Sequence, residues 1–177
     1  MSTEEIAEAI INSGFYEYGK IEMDKLVFHE EVRRICEDNS CGGYGKTWAC
    51  PPAVGTLDEC KERCSSYQNL ILFSSLYVLE DSFDFEGMKR SLCLFKGAVD
   101  RLDEKLKGKL QRYQILSNES CIRCAKCSYP DSACRFPGQL FHSIEGYGFL
   151  VSELAGLAGI SYNNGPGTVT YFGAVLY

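Results

Sequence analysis

Apolar side chains recur at helical spacing at the start of the chain. Ile6, Ala9, Ile10 and Ile11 gather on one side and Glu4, Glu5 and Glu8 on the other, which predicts an amphipathic helix over 2 to 13. Leu26, Val27, Val32 and Ile35 repeat the pattern and predict a second helix over 24 to 36 that delivers Cys36 at its end. The next stretch, EDNSCGGYGKTWACPPAVG, loses all periodicity and is crowded with Gly, Pro, Asn and Ser, so it reads as an irregular loop. Thr56 with Glu59 three residues on has capping-box spacing and starts a helix running through Tyr67. Residues 69 to 79, NLILFSSLYVL, are apolar at nearly every position, as a central strand covered on both faces must be. A long helix over 85 to 111, a short strand over 112 to 117 and a second irregular loop over 118 to 138 follow. A helix over 144 to 158, a turn at Asn163 to Gly167 and the closing strand TVTYFGAVLY complete the pattern.

These elements predict an α+β fold: a small mixed sheet with packed helices, and two Cys-rich loops at about 36 to 64 and 118 to 138. The 177 residues fit a single domain, 1 to 177, that can bury a substantial core. Apolar residues at 45% and charged residues at 24% exclude a disordered or low-complexity chain. No stretch has the ~18 unbroken apolar residues of a membrane helix, and the acidic start MSTEEIAEAI lacks the positive charge of a secretory leader. A cytoplasmic protein with no membrane partner is expected. The net charge of -6, with no cluster of Lys or Arg, gives no field to gather phosphates, so nucleic acid is not an expected partner either.

Ten cysteines change the picture, because they must serve disulfides, metal or packing. A disulfide framework suits a smaller exported chain, and metal is the better reading here. Cys121, Cys124 and Cys127 form a C-x2-C-x2-C run, with Cys134 after six intervening residues and Pro137 beyond it. Thiolates at that spacing let one short loop wrap three corners of a cubane, and a fourth sulfur completes a [4Fe-4S] site. Zinc is the rival, although structural zinc usually draws paired knuckles from two separated segments. Six residues, where ferredoxins have three, separate the third and fourth cysteines, which leaves exchange of the last ligand with a second cluster open. Arg123, Lys126 and Arg135, interleaved with these ligands, are either solvated loop charges or an offset to the negative charge of a cluster.

Cys36, Cys41 and Cys50 flank the first, Gly-rich loop, and Pro51-Pro52 stiffens the chain after the third. Gly42, Gly43 and Gly45 let the backbone turn tightly, so that its amides can point at cluster sulfurs. A fourth thiolate is needed, and Cys60 and Cys64 are the candidates, one turn apart on a helix. Cys60 is preferred because it follows the cap at Thr56, where the helix dipole favours an anion and a lowered thiol pKa; Cys64 is the reserve. The spacing of this first set does not choose between iron-sulfur and zinc.

Other signals carry less. The run from Cys41 to Thr47 ends like a phosphate-binding loop, but Ser40 replaces the required Gly and a helix precedes it where a strand should. His29 and His142 are read as surface or capping residues, and Glu145 as a complement to a helix dipole. Cys93, beside Leu92, Leu94 and Phe95, is read as packing. Tyr44 and Trp48 are aromatic anchors of the first loop, in place to shield a cluster or form a docking surface.

CGGYGKTWACPP, the distal C-x2-C-x2-C, CRFP and SIEGYG together resemble a family of predicted metal-binding proteins, domain of unknown function 2284, from about Cys36 to the C-terminal strand. The resemblance implies metal or iron-sulfur binding in proteins largely of anaerobes, on Cys36, Cys41, Cys50, Cys121, Cys124, Cys127 and Cys134. It implies no reaction. The expected function is an iron-sulfur protein with two [4Fe-4S] clusters that passes single electrons to a redox partner protein. A zinc-stabilised interaction module, and a small-molecule enzyme with an open-iron cluster, are the alternatives.

Overall fold

The apolar run at 69 to 78 becomes the strand on which the rest of the chain is assembled. The computed structural model describes all of residues 1 to 177. In chain order its elements are α1 (Thr3–Ile11), β1 (Glu17–Glu22), α2 (Glu30–Glu37), α3 (Leu57–Cys64), β2 (Asn69–Val78), α4 (Phe85–Leu106), β3 (Gln114–Ser117), α5 (Val151–Ala158) and β4 (Thr168–Leu176). The sheet order is β1-β2-β4-β3, and every neighbouring pair is antiparallel.

The α+β class holds, whereas the expected mixed sheet is corrected to an antiparallel one. Strands β2 and β3, linked by α4, do point the same way. Strand β4 inserts between them and pairs with both in the opposite direction. The one parallel link is a bridge from Leu116 to His142, outside the regular strands.

Both faces of the sheet are covered, which is why β2 reads as continuously apolar. Leu70, Leu72, Leu116, Phe172, Ala174 and Leu176 face a core completed by α3, α5 and Tyr147. The alternate positions Ile71, Phe73, Ile115, Tyr171 and Val175 face α1 and α4. The two-residue period of the strands thus feeds two separate cores. Gly173 stands opposite Phe73 in the ladder, and the Phe73 ring occupies the space a side chain at 173 would need.

Four expectations shift. Strand β1 was not foreseen, because it is an edge strand on which only Ile21 is buried. The helix expected over 24 to 36 opens as a 3-10 turn at Met23–Lys25 followed by extended chain, and α2 begins only at Glu30. The helix expected over 144 to 158 is interrupted: a 3-10 turn at Glu145–Tyr147 ends at Gly148, whose φ of 78° is left-handed, before α5 begins. Cys93 is exposed, because α4 turns Ser91, Phe95, Ala98, Val99 and Leu102 inward and leaves Cys93 and Leu94 outside. No helix is long and apolar enough to cross a membrane.

Candidate metal centres

Cys121, Cys124, Cys127 and Cys134 all line one small cavity, of about 20 Å³, together with Trp48, Arg123 and Phe136. Residues 118 to 136 form neither helix nor strand, so local ties hold the loop. Ser128 Oγ donates to the Ala133 carbonyl at 2.8 Å, and Arg135 donates to the Lys126 carbonyl at 2.8 Å. The Phe136 amide donates to Cys134 Sγ at 3.4 Å, a sulfur-directed hydrogen bond of the kind that tunes cluster potentials. Arg123 is paired with Asp100 of α4 at 2.5 Å, which pins this loop to the body of the protein.

The first loop brings Cys36, Cys41 and Cys50 to a second, larger cavity of about 330 Å³. Gly42 and Gly45 have positive φ, 76° and 65°, as the tight turn requires. The Gly45 amide donates to the Pro51 carbonyl at 2.8 Å and closes the loop on itself. Gly43 packs against the sulfurs: a Cβ there would lie 3.2 Å from Cys50 Sγ and 3.7 Å from Cys41 Sγ. Burial pushes the Cys36 thiol up to about 11, helped by the Glu145 carboxylate and the neighbouring Cys41 and Cys50, with Arg33 opposing. Cys50 is raised mainly by burial, and hydrogen bonds from Thr47 and Ser143 act against this. The Thr47 hydroxyl is otherwise buried without a partner, which suits a donor placed to meet a thiolate.

Cys60 and Cys64 line neither cavity. Both lie in the core beneath the sheet. Arg63 donates to Cys60 Sγ at 3.2 Å, Arg33 approaches it at 4.0 Å, and Arg63 also spans the Tyr147 ring at 5.0 Å. The helix dipole was expected to lower the Cys60 pKa. Instead burial raises it, outweighing the two guanidiniums, and burial pushes Cys64 up to about 12.

Glu145 does more than complement a dipole. It lines the cavity with the three thiols, and its Oε1 accepts from Asn118 Nδ2 at 2.5 Å. Burial raises its pKa. It reaches the thiols because Arg33 of α2 donates to the Gly146 carbonyl at 2.5 Å, tying the Glu145–Tyr147 turn to the helix that carries Cys36. His29 pairs with Glu153 at 2.5 Å at the start of α2, its ring capping no amide. His142 is half-buried, and burial pulls its pKa down to about 4.

The two cavities adjoin. Trp48, two residues before Cys50, lines the second cavity, donates to the Ser132 carbonyl at 3.1 Å and packs edge-on to Tyr129 with ring centres 4.9 Å apart. In return Ser120, next to Cys121, lines the first cavity, where Tyr44 also sits.

All ten cysteines are free thiols, and no three His, Cys, Asp or Glu side chains converge on a point as a single metal ion requires. The donor chemistry still suits a thiophilic centre: seven thiols on two adjoining cavities, backbone and hydroxyl donors aimed at sulfur, and a glycine where a side chain would intrude. This fold and thiol arrangement define a small α+β protein with two cysteine-lined cavities. The chain belongs to the family of predicted metal-binding proteins, domain of unknown function 2284, whose model matches residues 19–177. No curated protein and no solved structure matches it.

Proposed function

We propose that the protein holds two [4Fe-4S] clusters in a reducing compartment such as the cytoplasm and passes electrons one at a time to or from a redox partner protein. The observation that carries this reading is the gathering of all four cysteines of the distal run on one cavity, beside a second cavity walled by three more. Cys121, Cys124, Cys127 and Cys134 would hold one cluster, and Cys36, Cys41 and Cys50 the other. The distal cluster, ligated throughout by cysteine, would leave no iron free for substrate, so its use is electron transfer, with the potential set by burial and hydrogen bonds to sulfur.

Anaerobic, iron-replete purification followed by iron, sulfide and zinc analysis tests this, together with paramagnetic resonance after dithionite reduction. About eight irons and eight sulfides per chain are expected. Stoichiometric zinc without sulfide from such a preparation would overturn it and establish the zinc-stabilised interaction module.

One observation favours a second reading, a small-molecule enzyme with an open-iron cluster. The first cavity offers three thiols with Glu145 and extra room, while Cys60 lies outside it. Cys60→Ala decides between them. Loss of the first cluster's signal makes Cys60 the fourth ligand after movement of α3, and an unchanged signal leaves one iron to Glu145 or to a bound small molecule.

A further inference from the structure

Lys96 of α4 lines a surface hollow that also takes in Cys121 of the distal loop. The side chain is half-buried, and desolvation pulls its pKa down to about 8. A desolvated cation is costly unless an anion faces it. The two partners of Lys96 are nevertheless neutral oxygens, Ser117 Oγ at 2.8 Å and the Asn118 carbonyl at 2.6 Å.

The groups beyond those oxygens show where its counter-charge belongs. On one side Lys96 shares a surface hollow with Cys121. On the other, Asn118, whose carbonyl binds the ammonium, uses its side-chain amide to hold Glu145 at the wall of the first cavity. Cys121, Glu145, Glu119 and Cys50, when ionised, each favour the charged form of Lys96, against the desolvation that dominates. A thiolate-ligated cluster is anionic and gains one more negative charge on reduction. A fixed cation at this position stabilises the reduced form of each centre more than the oxidised form.

We propose that the Lys96 ammonium is the shared counter-charge of the two iron-sulfur centres, raising both reduction potentials and coupling them electrostatically. The inference rests on the two-cluster reading above and names a residue that tunes both centres without ligating either. The charge pattern around it fits this role: Arg123, which shares the hollow with Lys96, is already paired with Asp100, whereas Lys96 has no ion pair of its own.

The test is an anaerobic redox titration, followed by paramagnetic resonance, of wild type, Lys96→Met, Lys96→Gln and Lys96→Arg. In Met and Gln variants both potentials should move negative, enough to change the reduced-to-oxidised ratio at fixed potential about tenfold, or about 59 mV for one electron. Lys96→Arg should stay near wild type. Gln keeps hydrogen-bonding capacity toward Ser117 and Asn118, so it separates lost charge from lost packing should Met disturb the loop. Potentials that stay in place in loaded Gln or Met variants, or a shift confined to one centre, would overturn the proposal. Wild-type protein without iron and sulfide would instead sink the cluster reading itself, so the two failures are distinguishable.

Discussion

Gly43 shows how closely the chain is drawn around its thiols. Its φ is not left-handed, so the backbone would accept alanine, and what opposes a side chain is the neighbourhood: Ser120 Cβ at 3.1 Å and Cys50 Sγ at 3.2 Å from the added methyl. Gly42 is the opposite case, with a φ of 76° and open space around it. Gly43→Ala should therefore fold at a cost of about 1 kcal/mol and lose the first centre. Iron and sulfide per chain should drop toward half, with the second centre's resonance signal intact. Gly42→Ala should strain the turn by a similar amount while leaving the thiol spacing alone. Equal iron in wild type and Gly43→Ala would show that the glycine is not there to admit the centre. At this scale the sequence displayed the cysteines and the turn glycines but not their companions. Thr47 and Glu145 sit inside the CGGYGKTWACPP and SIEGYG stretches and Lys96 in a plain helical run, and none shows its role until the fold brings the separate segments together.

Among the elements, periodicity exposed what is buried on a regular face and missed what is not. Strand β2 and the buried stripe of α4 were plain in the sequence because burial wrote them there. Strand β1 was hidden because EYGKIE keeps only Ile21 inside and lies at the edge of the sheet. Helix α2 is shorter than the spacing of Leu26, Val27, Val32 and Ile35 predicts, because Leu26 packs in extended chain against the core beside Phe28, whose ring lies 4.7 Å from that of Phe149, while Val27 is exposed. Likewise the apolar spacing from Ile144 onward ran across Gly148, where the backbone turns left-handed and a side chain would meet Leu57. The inconspicuous β1 is still held tightly. At Gly19 the strand passes so close beneath α5 that a Cβ would collide with the Ala158 carbonyl. Backbone atoms at the end of a packed helix cannot swing aside as a side-chain tip can. Gly19→Ala should cost about 3 kcal/mol, the upper end of what overpacking usually does, read as a lower urea midpoint with an unchanged slope. A midpoint within experimental scatter of wild type would mean that α5 is free to lift.

Taken as a whole, the molecule gathers three distant stretches at one end of β3. The Ser117 amide donates to the His142 carbonyl at 2.9 Å, and the Ser143 amide donates to the Ala49 carbonyl at 2.8 Å, so both Cys loops and the Glu145 turn meet there. Spacing alone could not reveal this, because hydrogen bonds between segments 25 and 94 residues apart leave no periodic trace. His142 is the titratable group at this junction. Its Nδ1 lies 3.2 Å from the Tyr147 hydroxyl and 3.4 Å from Gln114 Nε2, both able to donate, which suits a neutral ring accepting at that nitrogen. Burial, with Arg63 adding repulsion, holds the folded pKa near about 4 against an ordinary 6.5. Between those values the unfolded chain binds a proton that the folded chain refuses, so stability is complete above about 6.5 and falls as the pH drops toward 4. The slope is roughly 1.4 kcal/mol per pH unit, or about 2 kcal/mol lost between pH 7 and pH 5. Denaturant melts of wild type and His142→Gln at those two pH values isolate this contribution, since every other acid-sensitive group is common to both. The glutamine variant should lose about 2 kcal/mol less on acidification than wild type. Parallel losses in the two proteins would mean that the ring takes up its proton in place, without loosening the junction on which both thiol loops depend.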